Sequence, residues 1–347
     1  MRSRFPRFLA VLVLVFLQPS LTAAPSPIQS PHELKNLEAF ARAYGYVRFF
    51  HPSDEAAEVD WDKLAMVGLE SVRTADHADA LRTRLLDVLG PLAPELQVTL
   101  SRPEARSQRA SRGPATYWQY QGINLSPDRS VYQQRRVVVE KSLPKRQPLF
   151  EQQNPPERLI REIGARLWIE MPLTLPIDDD GRTHATNRPG LVELERRLEE
   201  IDLQTVSTAG WRVRLAGVIV VWNVFQHFHP YLDQAGIDWS ATLAPALQEA
   251  LEAEDAAGYN QVLSALVAKS NDGHGYVYGP GRASAGLPLR FAWIDDELII
   301  SGVEGEDALQ KGGIVETLDG RPAAQALADV ERRSPGSPHL RRFRALN

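Results

Sequence analysis

Phe49-Phe50-His51-Pro52, followed by Asp60-Trp61, is the stretch that decides the fold, because the chain repeats it. The second copy is His227-Phe228-His229-Pro230, followed by Asp238-Trp239. Both parts recur at an offset of 178 residues (229 − 51 and 239 − 61). An internal repeat of this kind predicts two copies of one structural unit.

Apolar residues at helical spacing surround both copies of the repeat. Leu81, Leu85 and Leu89 recur at every fourth position, which places them on one face of a helix. The proline after each histidine ends the helix before it, since proline lacks the amide hydrogen and restricts its neighbour. The predicted helices are 37–50, 64–72 and 80–89 in the first copy and 215–228, 243–251 and 259–268 in the second. The sequence therefore predicts three-helix units over residues 25–97 and 191–280.

Residues 98–190, between the copies, have a different composition. Tyr117–Tyr120, Arg136–Val139 and Leu167–Ile169 are aromatic or β-branched runs that are typical of strands. Ser101–Pro114 is rich in Arg, Ser and Pro and predicts an exposed loop. Asp178-Asp179-Asp180 lacks the spacing of a calcium-binding loop and predicts a solvated turn. A β-rich insert with a polar connection follows from this composition.

Residues 281–347 again show strand patterns. Leu287–Trp293 alternates and Glu297–Ile300 returns after Asp295-Asp296, which predicts a β-hairpin. A Gly-Gly turn, a short strand, an Asp-Gly turn and the predicted helix Ala323–Arg333 come next. This order is typical of a PDZ-like module. The predicted fold class is therefore α+β, with repeated three-helix units that flank a β-rich insert, followed by a PDZ-like β module.

The first 24 residues have the pattern of a secretory signal peptide. Arg2, Arg4 and Arg7 precede the apolar run Phe8–Leu17, and small residues around Ala24 suit a signal peptidase. A membrane anchor is the alternative, but the apolar run is shorter than the roughly 20 residues that span a bilayer. We expect an exported protein, periplasmic or extracellular, that does not span the membrane.

The composition excludes some classes of partner. The net charge is −5 and the pI is near 6.0, which gives no general positive field for nucleic acid. The chain has no cysteine, so its core rather than disulfides must stabilise it. The sequence leaves the oligomeric state open.

The second copy carries a resemblance to a known family. Val221–Pro230, Asp238-Trp239 and Ser270–Gly275 resemble the N-terminal region of the tail-specific, C-terminal-processing serine peptidases of the tricorn-like group. The resemblance implies proteolysis, with unfolded polypeptides or protein C-termini as partners and no cofactor. Gly313 departs from the family, which usually has aspartate there. The family's nucleophilic serine lies in a core beyond the PDZ module, so with Asn347 as the last residue we expect a catalytically incomplete chain.

The resemblance gives His274 the role of general base. An imidazole with a pKa near 6.5 can take a hydroxyl proton at neutral pH. His274 lies in a glycine-flanked turn before an apparent strand, Gly275–Tyr278, and Leu96 takes its place in the first copy (274 − 178). The helical unit therefore does not require a histidine here. The alternative is an exposed histidine in a turn, because the processing branch of the family uses lysine as base.

His51 and His229 are predicted to be structural residues. Both recur with proline and with a downstream tryptophan, Trp61 or Trp239, which we expect to cover a hydrogen-bonded ring at a helix end. His227 and His229 could contribute to a zinc site, but no third ligand in a recognised pattern accompanies them. No metal site is predicted.

Two other functions remain open at this stage. One is a non-catalytic exported peptide-binding or scaffold protein, which would use the same modules without chemistry. The other is carbohydrate binding through Tyr117 and Trp118.

The serines near the C-terminus, Ser301, Ser334 and Ser337, lie outside any nucleophile motif and are predicted to be loop residues. Whether the chain is an enzyme is therefore not decided by its sequence.

Overall fold

The computed structural model describes residues 31–104, 113–123, 133–139, 158–184, 187–279, 288–304 and 310–346. The predicted signal peptide, residues 1–24, lies outside the described residues, as do residues 105–112 of the predicted loop. The described chain combines α-helices with small antiparallel sheets, so it has a mixed α+β fold. It divides into two compact units with a boundary between His229 and Pro230.

Helices form most of the first unit, and polar side chains cap several of them. Ser53 Oγ accepts from Ala56 N at 3.2 Å, and Asp60 Oδ1 accepts from Asp62 N and Lys63 N at 3.1 Å. These caps satisfy amides that have no partner inside the helix. The described helices of this unit are α1 (Pro31–Phe50), α2 (Asp54–Glu58), α3 (Trp61–Arg73), α4 (Ala78–Leu89), α5 (Arg188–Glu199) and α6 (Trp211–Phe228).

The core of the first unit lies where α6 packs against α1 and α3. Asn223 is fully buried in this interface, and its Nδ2 donates to Ala41 O and Ile219 O at 2.9 Å. A Cβ on Gly45 would lie 1.7 Å from Asn223 Oδ1. Only glycine therefore allows α1 and α6 to approach this closely.

The β-rich part of the first unit consists of two three-stranded antiparallel sheets, with strand orders β1-β5-β4 and β3-β2-β6. All three segments predicted as strands between the helical regions fall within β2, β3 and β5. Asp54 and Thr183 join the polar connection to α2 through two hydrogen bonds of 2.8 and 2.9 Å. The strands are β1 (Gln97–Thr99), β2 (Ala115–Gln121), β3 (Gln133–Val139), β4 (Arg158–Gly164), β5 (Leu167–Pro172) and β6 (Leu175–Pro176).

The second unit begins with helices and continues with two hairpins. Asp295 and Asp296 have φ of 51° and 62°, and Asp319 and Gly320 have φ of 50° and 74°, so both hairpins turn through the left-handed region. Its elements are a 3₁₀-helix (Ser240–Thr242), α7 (Leu243–Glu252), α8 (Ala256–Ala268), β7 (Leu289–Ile294), β8 (Glu297–Val303), β9 (Thr317–Leu318), β10 (Arg321–Pro322), α9 (Ala323–Arg332) and α10 (Pro338–Leu346).

The helices predicted around both copies of the repeat are present, but the copies differ in their setting. In the first copy α1, α3 and α4 pack on one another within one unit. In the second copy α6 belongs to the first unit, whereas α7 and α8 belong to the second. The equivalence of the two copies as folding units stays a prediction. None of the described helices is long and apolar enough to cross a bilayer.

Candidate functional site

The segment Asp272–Gly275 forms a tight turn that follows α8. Asp272 Oδ1 accepts from the backbone N–H of His274 at 2.9 Å, and Gly275 N donates to Asp272 O at 3.0 Å. A Cβ on Gly273 would lie 2.8 Å from Leu340 Cδ2. A larger residue at 273 would therefore require the Leu340 side chain to move, and the turn's own side-chain and backbone bonds define its shape.

The ring of His274 stands in solvent beside this carboxylate. Its Nδ1 lies 2.9 Å from Asp272 Oδ1, and the side chain is 99% exposed. The carboxylate accepts the Nδ1 proton and so favours the tautomer in which Nε2 carries a lone pair. A ring that is oriented in this way can accept a proton at Nε2 from a hydroxyl group within hydrogen-bond distance.

Arg344 of α10 ties the turn to the loop before that helix. Its guanidinium donates to Gly273 O and to Pro335 O, both at 2.6 Å, and also to the hydroxyl of Tyr276. The same guanidinium lies 4.5 Å from the ring centroid of Tyr276. These charge-assisted bonds hold the turn without covering His274.

Arg341, one helical turn before Arg344, holds the other side of the turn. It donates to Ala268 O at 3.4 Å and to the side chain of Asn271, a residue with φ of 56°. The two arginines therefore form one clamp on the loop that carries the candidate base. Sequence reasoning did not identify them, because charged residues on a C-terminal helix are typical of a solvated face.

The serines near the C-terminus make other contacts. Ser334 Oγ donates to Val330 O at 2.9 Å, and Ser337 Oγ accepts from Leu340 N at 3.4 Å. Ser301 lies exposed in β8. In the part of the chain that the structure describes, no serine hydroxyl lies within hydrogen-bond distance of the His274 ring.

His51 is in the opposite environment. It is fully buried, its Nε2 lies 3.0 Å from Pro94 O, and its Nδ1 lies 2.9 Å from Ser53 Oγ. Since a carbonyl only accepts, Nε2 carries the proton, and Nδ1 accepts from the backbone N–H of Ser53 at 3.4 Å. Burial lowers the pKa of His51 to about 4, with the bond to Pro94 opposing that shift. A buried neutral histidine with both nitrogens occupied serves to join segments of the core.

The remaining predicted structural residues are spread over the two units. Trp61 packs edge-on against Tyr44, with ring centroids 5.2 Å apart, and its Nε1 donates to Ala56 O at 2.9 Å. His229 stacks on Phe225 at 5.5 Å. In the second unit, Trp239 is 3% exposed.

His227 lies among aromatic rings. Its ring centroid is 5.1 Å from that of Phe50 and 5.4 Å from that of Tyr46. Burial lowers its pKa to about 4, and its Nε2 has no hydrogen-bond partner among the described residues. Within the described ranges, no group of three or more His, Cys, Asp or Glu side chains could hold a metal ion.

The aromatic residues of the insert take part in packing. Tyr117 is buried, and its hydroxyl accepts from Gln119 Nε2 at 2.9 Å. Trp118 Nε1 donates to His51 O at 3.1 Å, and its ring stacks on Tyr120. These contacts do not favour a sugar-stacking surface at Tyr117 and Trp118.

The first unit also contains a cleft of about 690 Å³ between α2 and α5. Its lining combines leucines such as Leu191 with carboxylates such as Glu58 and Glu195. Burial raises the pKa of Glu55, whose Oε2 is buried without a hydrogen-bond partner among the described residues. The described residues that line the cleft include no histidine and no serine.

No model of a known protein family matches the chain, and neither a curated protein nor a solved structure shows significant similarity to it. The assignment of a site therefore depends on geometry and on the motifs of the sequence. By these criteria, the turn that carries Asp272 and His274 is the best candidate, because it combines an exposed proton acceptor with a carboxylate that orients it.

Proposed function

We propose that this chain is part of an exported serine-type peptidase of the tail-specific, tricorn-like kind, and that His274 is its general base. The observation that carries the proposal is the 2.9 Å contact between His274 Nδ1 and Asp272 Oδ1, with the rest of the ring in solvent. In serine peptidases a carboxylate that accepts from one ring nitrogen leaves the other nitrogen free to deprotonate the nucleophile. The pair in this turn supports that role.

The second unit supports peptide binding in the same scheme. It has the order of elements that a PDZ-like module would have: the hairpin β7–β8, a glycine turn, the short pair β9–β10 and helix α9. Such modules bind an extended peptide as an added strand. The partners would be unfolded polypeptides or protein C-termini, and the compartment would be the periplasm or the extracellular space.

In this proposal the chain would be inactive alone. A general base requires a serine within roughly 2.6–3.2 Å and donors that stabilise the oxyanion. The described residues place no serine beside His274. The nucleophile would belong to a core domain that follows the PDZ-like module in peptidases of this kind.

One experiment tests the base and another tests the family. Nitrogen-15 NMR of His274 at pH 8 should show the proton on Nδ1, and Asp272→Ala should remove that preference. A proton on Nε2 in the unsubstituted chain would contradict a role as base. Reading the coding DNA beyond residue 347 tests the family: an open frame for a serine-bearing core supports it, and a stop codon there argues against it.

The alternative is a non-catalytic peptide-binding protein. The lack of a serine partner for His274 among the described residues favours it. Incubation of the purified chain with an unfolded polypeptide and with a fluorophosphonate probe tests whether the chain has activity of its own. Binding without cleavage or labelling fits either the incomplete peptidase or this alternative. Cleavage or labelling that His274→Ala abolishes would mean that the chain holds its own nucleophile.

A further inference from the structure

The residues that follow His274, Gly275–Gly279, run along helix α8, and we call them the tyrosine segment. A Cβ on Gly275 would lie 2.6 Å from Val267 Cγ1, and a Cβ on Gly279 would lie 2.4 Å from Asn260 Oδ1. The seven helical steps from Asn260 to Val267 cover roughly 10.5 Å along α8. The four steps from Gly275 to Gly279 would cover about 13 Å if fully extended. The segment therefore runs antiparallel to α8 in a nearly extended form.

The side chains of this segment alternate between the helix and solvent. Gly275, Val277 and Gly279 are half-buried, whereas Tyr276 and Tyr278 are 52% and 76% exposed. The two tyrosine rings stack with centroids 6.1 Å apart and an angle of 30° between their planes. This two-residue period is that of a strand that has one face on the protein and one face in water.

The backbone of the segment is open for pairing. Among the described residues, the N–H and C=O groups from Tyr276 to Gly279 make no hydrogen bond to another backbone group, and the strand predicted over Gly275–Tyr278 is absent because no described strand pairs with it. Exposed backbone groups in an extended segment are a template for another strand. The segment thus has the alternation of a strand and lacks only its neighbour.

The open segment begins at the candidate base. His274 directly precedes Gly275, and its side chain is 99% exposed. Arg344 lies over the ring of Tyr276 at 4.5 Å and donates to its hydroxyl, so the end of the segment nearest His274 is fixed. A chain that pairs with Tyr276–Tyr278 would pass next to the imidazole.

We propose that the tyrosine segment is the docking edge for an extended polypeptide with apolar or aromatic side chains at alternate positions. Its backbone would pair with the open N–H and C=O groups, and its side chains would stack on Tyr276 and Tyr278. The inference rests on the proposed function only in taking a polypeptide as the substrate. Strand spacing and exposed rings on one edge match this occupant.

Peptide binding to the whole chain tests the proposal. The probe is a fluorescein-labelled ten-residue peptide with alternating Leu and Ser, and fluorescence anisotropy measures its dissociation constant. Tyr278→Ala should weaken binding about 10-fold, which is the loss expected for one stacking contact with its buried area. Tyr276→Phe should weaken it less than about 3-fold, because the ring stays. Tyr231→Ala is the matched control, since Tyr231 is 65% exposed in the same unit, and it should leave binding unchanged.

Backbone methylation separates strand pairing from simple stacking. Methylating alternate peptide amides on the pairing side should abolish binding, and methylating the other set should leave it intact. Equal effects of the two sets would overturn the proposal, as would equal binding by Tyr278→Ala and the unsubstituted chain. Self-association in sedimentation experiments without peptide binding would also overturn it, because the edge would then pair with a second copy. The tautomer of His274 reports on the base and peptide affinity reports on this edge, so a failure of the base and a failure of this docking edge give different results.

Discussion

The loops that follow the third helix of each repeat copy occupy equivalent positions in the sequence and have opposite structures. In the first copy the loop after α4 is buried, and Leu96 is 9% exposed. In the second copy the loop after α8 is open to solvent, and His274, at the equivalent position, is 99% exposed. One position in a repeated pattern thus serves the core in one copy and the surface in the other.

The difference comes from the side chains that donate hydrogen bonds to the carbonyls of each loop. In the first copy the carbonyls of Leu92 and Pro94 accept from Ser53 and His51, so the loop closes over a buried corner. In the second copy the arginines of α10 bind the loop carbonyls from the side. Long cationic side chains can hold a turn and still leave its tip in water. A donor from outside the repeat therefore leaves the position of His274 in solvent.

Lowering the pH should produce the largest loss of stability. The loss should come from protonation of the two buried histidines, His51 and His227. The folded chain keeps His51 and His227 neutral with pKa values of about 4, against about 6.5 when unfolded. Between these values the unfolded chain binds more protons, so the free energy of unfolding falls as the pH falls. Their contribution is complete above about pH 6.5 and is lost by about pH 4. We expect a loss of about 2 kcal/mol per histidine between about pH 7 and pH 5.

Urea unfolding at several pH values measures this loss. His227→Phe keeps a ring beside Tyr46 and Phe50 and should reduce the pH dependence by about half. His274→Gln is the control and should leave the pH dependence unchanged. If the two variants behave alike, the buried histidines do not cause the effect.

Removing the ring of the buried His51 should lower the free energy of unfolding more than removing the ring of the half-buried His229. His51→Ala should lower the free energy of unfolding by about 3 kcal/mol, because it creates a cavity and leaves Pro94 O without its donor. His229→Ala removes a ring stacked on Phe225 and should cost about 1 kcal/mol. Chemical denaturation compares the variants, and the reverse order would refute the structural role of His51.

Exchanging the residues at the equivalent position tests the comparison directly. Leu96→His places a polar ring in a buried loop and should cost about 2 kcal/mol. His274→Leu changes an exposed side chain and should alter stability by less than about 0.5 kcal/mol. Thermal unfolding measures both. A large loss for His274→Leu would show that His274 contributes to folding.

Loss of the arginine clamp should cause the smallest loss of stability, and that loss should be confined to the turn that carries His274. Arg344→Gln removes the charge that Gly273 O and Pro335 O share and should destabilise the turn by about 1 kcal/mol. Hydrogen exchange of the Gly275 amide should become roughly five-fold faster, which is about 1 kcal/mol. Arg344→Lys should recover part of the protection. Exchange that is unchanged in Arg344→Gln would mean that the turn needs no support from α10.

Local patterns in the sequence predict much of this structure. The spacing of Leu81, Leu85 and Leu89 predicts α4, and all three side chains are buried. The turns at Asp295-Asp296 and at Asp319-Gly320 are predictable because these residues tolerate positive φ, which they adopt. These elements depend on neighbours within a few residues, and sequence reasoning is strongest there.

Long-range contacts could not be predicted in this way. Asn223 meets Ala41 and Gly45 across 178 residues or more, and nothing near these residues indicates the contact. The clamp on His274 comes from Arg344, seventy residues later in the chain. The tyrosine segment has the alternation of a strand, but alternation cannot supply a partner, so the strand predicted there is not formed among the described residues.

The place of α6 in the first unit has a consequence for how the protein is made. The parts of α1 and α3 that pack against α6 stay uncovered until a helix that ends at Phe228 has been made. A ribosome that adds about 5–20 residues per second needs roughly 7–28 s to pass from Leu89 to Phe228. During that interval the nascent chain exposes a surface that chaperones recognise. A slowly translated message would lengthen this exposure, so codon usage between these residues should influence the yield of folded protein.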